Sequence, residues 1–318
     1  MRITQRLLSL SCTVVLTIGL QAMVAGLISQ AQNSLLTLMG SVMALCVSWP
    51  VALLVVRQGV ADGIAAVLAS AVILGGWAGW PFGAAYLCQF GLASLIVSGL
   101  LHKGCRWDRV VAIGTGTIIA IGSLGMTAYA VRIGKNPLQL ADEWANREVN
   151  RALEALKTAD LPPEMVQQTQ ALFRDLGHSL IALYPAVIIL TVAVMLLATV
   201  WFLNRRTGAL LPEQVAFCAW KVPENLIWVL IAGGVGTTFL QGGWQRLAWN
   251  VLVVVLGIYF LQGLAILSHY FRVKRFPPAF RAIGYFLVVA SFPLRVLATG
   301  VGIFDLWIDF RKPGKHKD

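Results

Sequence analysis

The chain has 318 residues, of which 58% are apolar and only 12% charged, and its mean hydropathy is +0.76. A chain this apolar needs lipid as its solvent, which excludes a disordered, fibrous or disulfide-built secreted protein. The net charge of +11 sits between apolar segments, so it reads as a set of topology signals and not as a nucleic-acid footprint.

About 20 apolar residues are needed to cross the hydrocarbon core, and nine runs approach that length: 7–28, 35–56, 60–80, 82–101, 110–131, 180–203, 226–240, 247–267 and 279–304. The first follows Arg2 and Arg6 but is too long for a signal peptide and has no small-x-small cleavage site, so it reads as an uncleaved helix. Cys12 lacks the Leu expected three residues before a lipidated cysteine. The third and fourth runs are separated only by Trp80-Pro81-Phe82-Gly83, which predicts a tight helical hairpin. The fold expected is all-α, a polytopic transmembrane bundle of eight to nine helices, because backbone in lipid must satisfy its own hydrogen bonds.

Between the fifth and sixth runs lies the one sizeable polar region, 132–179, with six Lys/Arg and seven Asp/Glu. Its mixed charge suits the extracytoplasmic side. Ala141, Trp144, Ala145, Val149, Ala152, Leu153 and Leu156 recur at helical spacing there, and Pro162-Pro163 starts a second helix toward the sixth run. The reading is a helical hairpin over the bundle mouth, or a lid or partner-docking element. The chain thus divides into an N-terminal five-helix membrane part (1–131), the insert (132–179), and C-terminal membrane helices with a charged tail (180–318).

Basic residues mark cytoplasmic loops. They place Arg2/Arg6, Arg57, Lys103/Arg106/Arg109, Arg205/Arg206 and Arg272/Lys274/Arg275 inside a bacterial inner membrane, with the N-terminus cytoplasmic. Nine crossings would then leave the basic tail, with Arg311, Lys312, Lys315 and Lys317, outside, against the same rule. Pro293, Gly300 and Gly302 interrupt the last run, which is therefore expected to be broken or re-entrant, or one segment is miscounted.

No phosphate-cradling GxxxxGK[ST], no HExxH, no CxxC and no Gly-x-Ser-x-Gly is present. No cofactor or metal is expected, and any ATP hydrolysis would belong to a separate subunit. The informative residues are the polar ones that a bilayer makes expensive. Arg295 sits inside the last run and needs a partner or a ligand; Asp62, Gln89, Gln262 and Asp305 are the candidates to meet it or to line the same cavity. Either a buried pair that fixes helix register or a ligand contact fits. Asp305 and Asp309 are four residues apart, which suggests one face of a solvated helix end. Ala61, Ala65 and Ala69 form a small-residue stripe suited to close helix approach, within the bundle or by a separate membrane subunit.

The last run and tail read Pro293-x-Arg295-x-Leu297-x4-Gly302-x2-Asp305-x-Trp307-x-Asp309-Phe310-Arg311. This resembles the C-terminal signature of the YybS-like family of uncharacterised bacterial membrane proteins. Pro50-x6-Arg57-x-Gly59 and Phe217-x2-Trp220-x2-Pro223-x4-Trp228 fit the same pattern. The stretch from about 35 to 131 is also loosely similar to the substrate-binding subunits of energy-coupling-factor transporters. That likeness implies a small-molecule binder working with separate ATPase and coupling subunits. The function expected is a transporter-like small-molecule or lipid-binding subunit; the alternatives are a structural or regulatory scaffold, or an intramembrane enzyme using Asp62 or Asp305.

Overall fold

The computed structural model describes residues 2–29, 34–137, 139, 140, 142, 143, 146, 147, 150, 154, 163–207 and 216–311. Among these the chain is helical throughout, without a strand. The helices are α1 (Arg2–Ser29), α2 (Ser34–Ala44), α3 (Trp49–Gln58), α4 (Val60–Ala78), α5 (Trp80–Tyr86), α6 (Leu92–His102), α7 (Trp107–Arg132), α8 (Pro163–Thr207), α9 (Leu226–Phe239), α10 (Gly243–Val273), α11 (Pro278–Ala290) and α12 (Phe292–Ile308). A π-helical turn, Leu87–Gly91, joins α5 to α6. Seven stretches are long and apolar enough to cross a membrane, and the pair α11 and α12 together would make an eighth. The insert's apolar stripe, residues 141–156, lies outside the described residues apart from isolated polar positions. Pro163 does begin a helix, which runs without interruption to Thr207.

Contacts divide the chain into two compact units, residues 1–181 with 191–214, and residues 182–190 with 215–318. In the first, the predicted hairpin between the third and fourth runs turns on a single residue, Gly79, whose φ of 95° is open to glycine. α5 then lies so close on α4 that a β-carbon at Gly83 would come within 2.5 Å of the Ala71 carbonyl oxygen. Four of the polar residues buried in this unit, Ser48, Ser94, Ser98 and Thr199, join helices through their hydroxyls. Ser48 and Thr199 share a hydrogen bond of 2.8 Å, Ser94 donates to the Ser48 carbonyl at 3.0 Å, and Ser98 donates to the Ala52 carbonyl at 3.0 Å. In lipid such bonds and close packing take the place of the hydrophobic effect in holding helices together. Trp49 stacks on Phe202, ring centroids 4.3 Å apart, beside the same seam.

The second unit is built on α10, against which α9 and α12 pack. Pro185 lies inside the continuous helix α8, and Asn250 of α10 bridges the backbone groups on either side of it. Its Nδ2 donates to the Ala182 carbonyl at 2.7 Å, and its Oδ1 accepts from the Ala186 amide at 2.8 Å. A proline deprives a helix of one bond and strains its neighbours, so a polar side chain inserted there satisfies the freed groups. The seventh run yields a helix of only 14 residues, about 21 Å long against a core of about 30 Å. The last run, expected to be broken, turns by 99° at Ser291, with Pro293 in the first turn of α12.

Candidate functional site

The shortness of α9 has a visible cause, because the chain before it is unwound. Residues 217–222 form one 3-10 turn followed by extended backbone, and they run beside α10 from the level of Arg272, which reaches the Cys218 sulfur, to that of Gln262. Irregular backbone within a membrane survives only where protein satisfies its polar groups. Here side chains do so. Gln262 Oε1 accepts from the Val222 amide at 3.0 Å, and Arg311 donates to the carbonyls of Trp220 at 2.6 Å and Cys218 at 3.2 Å.

Asp305 holds these two side chains in place. Its carboxylate is 3% exposed as a residue and accepts from Gln262 Nε2 at 2.9 Å, from Arg311 Nη2 at 3.2 Å and from the Phe310 amide at 3.0 Å. Buried carboxylate and buried guanidinium therefore neutralise each other while both reach backbone or amide groups. A close helix crossing brings Asp305 there. A β-carbon on Gly263 would overlap the Ala298 carbonyl, and one on Gly302 would overlap the Tyr259 carbonyl, so glycine at both places lets α12 touch α10 backbone to backbone.

α12 ends at Ile308, and Asp309 takes a left-handed conformation with φ 46°. Asp309 therefore leaves the helix face it was expected to share with Asp305, and pairs with Lys221 at 2.7 Å. The solvated helix end expected for Asp305 is instead a buried one. Trp307 remains exposed.

The two ends of the α11 and α12 pair return to one place. Phe276, just before α11, donates its amide to the Phe271 carbonyl, and Phe310, just after α12, accepts from the Tyr270 hydroxyl at 2.8 Å. Both contacts lie at the last turn of α10. The elbow at Ser291 lies between them, and Arg295 is one turn past it. Arg295 is exposed, with its guanidinium 5.8 Å from the Phe292 ring centre, and it makes no ion pair among the described residues.

Of the candidates for Arg295, Gln262 and Asp305 bind each other, and Asp305 also binds Arg311. Asp62 is half-buried in the first turn of α4, and Gln89 is exposed in the π turn, both in the other unit. Ala61 and Ala65 are exposed and Ala69 half-buried, whereas Gly63, Ala66 and Ser70 form the packed side of α4. Among the described residues no group of three His, Cys, Asp or Glu could hold a metal. Asn250, Ser48, Ser94, Ser98 and Thr199 were not singled out from sequence. Asn250 alone carried a signal, an amide within an apolar run with Pro185 in another.

Comparison with known proteins gives no match among curated proteins or among solved structures. One family model, described as predicted membrane protein, matches residues 23–306, a span that takes in both units, the unwound segment and Asp305. A match of that extent, on a chain of apolar helices whose irregular backbone before α9 is hydrogen-bonded by its own side chains, makes this protein a member of the DUF2232 family of predicted membrane proteins.

Proposed function

We propose that the protein is a transporter-like subunit of the bacterial inner membrane that binds a small anionic or lipid-like solute at the elbow between α11 and α12. The observation that carries this is Arg295, an exposed arginine one turn past the break of a helix pair whose two ends return to the same end of α10. An intramembrane cation costs several kcal/mol unless water, protein or ligand meets it. Two interrupted elements, the unwound entry to α9 and the elbow, lie in one unit, an arrangement that transporters use to present backbone and charge to a solute; this is an analogy of architecture.

The pair is re-entrant in this reading and adds no crossing. Unwound segment and α9 together make one crossing, α10 the next, and the basic tail then lies in the cytoplasm with Arg272, Lys274, Arg275 and the N-terminus. The chain carries no nucleotide motif, so energy for transport would come from an ion gradient or from separate ATPase and coupling subunits. The exposed Ala61 and Ala65 stripe is a surface such a subunit could use.

Purification from native membranes followed by mass spectrometry of bound small molecules and proteins tests the reading. It predicts an enriched solute that is lost from Arg295→Ala and retained in part by Arg295→Lys, with both variants folded. A folded Arg295→Ala protein that keeps the same solute contradicts it. The buried cluster of Asp305, Gln262 and Arg311 favours a second reading, a scaffold whose charges serve packing; an empty chain with a stoichiometric non-transport partner would support that.

A further inference from the structure

Arg272 lies in the last turn of α10, Lys274 and Arg275 lie in the turn to α11, and Arg281 follows in the first turn of α11. The sequence has no acidic residue between Glu224 and Asp305. Asp305 and Asp309 are engaged by Arg311 and Lys221, so none of the four cations at the turn has an ion-pair partner among the described residues. Their placement is defined. Arg275 takes a left-handed conformation with φ 51°, Arg281 Nε donates to the Phe276 carbonyl at 2.7 Å, and Arg272 Nη1 lies 3.4 Å from the Cys218 sulfur.

Around the same turn is an aromatic cluster. The Phe271 ring packs edge-on against Phe276 and Tyr285, both at 5.5 Å, and Gly284 leaves just enough room for it. Next to this cluster, Phe280, Ile283 and Leu287 share one exposed face of α11. Four cations around the start of a helix with an exposed apolar face match, in charge and in chain order, a phospholipid whose phosphate is not balanced by an amine of its own.

We propose that this corner binds an acidic phospholipid, with Arg272, Lys274, Arg275 and Arg281 around the headgroup phosphate and the acyl chains along Phe280, Ile283 and Leu287. The site does not depend on a solute at Arg295. A basic residue near a membrane surface strengthens binding of anionic lipid by roughly five-fold, and basic niches between membrane helices hold such headgroups. A zwitterionic lipid gains little here, because its own cation competes for the phosphate.

The test is native mass spectrometry of the full-length protein in detergent with phosphatidylglycerol or phosphatidylcholine added. The wild-type chain should retain phosphatidylglycerol in preference to phosphatidylcholine. Lys274→Gln with Arg281→Gln should weaken phosphatidylglycerol binding about twenty-five-fold, Lys274→Gln alone about five-fold, and Arg281→Lys should keep most of it. Arg295→Ala should leave lipid retention unchanged, which separates this site from the solute reading. Equal retention of the two lipids by the wild-type chain, undiminished phosphatidylglycerol binding by Lys274→Gln, or displacement of the lipid by soluble glycerol phosphate at equal concentration would overturn it.

Discussion

Asp305 is the residue on which the second unit depends most. Removing one member of a buried, hydrogen-bonded ion pair leaves the other charge unpaired, so Asp305→Ala should cost about 3–5 kcal/mol, read as a large fall in thermal stability in detergent. Asp62→Asn, at a half-buried helix start where the carboxylate makes no ion pair among the described residues, should change stability by no more than about 0.5 kcal/mol. Equal losses from both would refute the assignment of Asp305. Gly302→Ala sets a methyl group against the Tyr259 carbonyl and should cost about 1–3 kcal/mol through overpacking, whereas Gly300→Ala, where a β-carbon meets open space, should be neutral or better. The sequence marks Asp305, Gln262 and Arg295 as expensive in lipid, but not that Asp305 pairs with Gln262 and Arg311 while Arg295 stays apart. Pairing depends on where α12 starts and on which glycine touches which carbonyl, and neither has a local signal.

At the scale of elements, the apolar runs are legible because lipid imposes a length and a hydropathy on each span. The interruptions are legible only in part. Pro81 announces the hairpin, although its turn residue is Gly79 and the residues expected to form the turn, Trp80 to Gly83, open α5; Pro293 announces a break, although the elbow falls two residues earlier at Ser291. The unwinding before α9 is invisible to hydropathy because residues 216–222 are themselves largely apolar; what permits it are acceptors and donors far along the chain, Gln262 and Arg311. Gln262→Leu should therefore expose this element's weakness. The Val222 amide, now without its acceptor, should exchange with solvent markedly faster, with a stability loss of about 1–3 kcal/mol. Unchanged exchange at Val222 would contradict the role given to Gln262. Ser94→Ala removes one of several hydroxyl contacts and should cost only about 0.6 kcal/mol.

For the molecule as a whole, the all-helical polytopic fold follows from composition alone. The number of crossings does not, since counting runs treats each as a straight helix. Nine runs put the basic tail outside; a last run that bends by 99° and returns to the end of α10, read as the re-entrant pair proposed above, would remove one crossing and restore agreement with the distribution of Lys and Arg. The same bend brings Arg295 from an assumed mid-helix position to the elbow, so topology and candidate site stand or fall together. The direct measurement is labelling by a membrane-impermeant maleimide in intact cells, using single cysteines at Gly242, at Phe276 and in a tag after Asp318, with the five native cysteines replaced. The account predicts that Gly242→Cys is labelled from outside, while Phe276→Cys and the tag react only after the membrane is opened. Labelling of the tag together with Gly242→Cys in intact cells would make α11 and α12 a true crossing and contradict the re-entrant site.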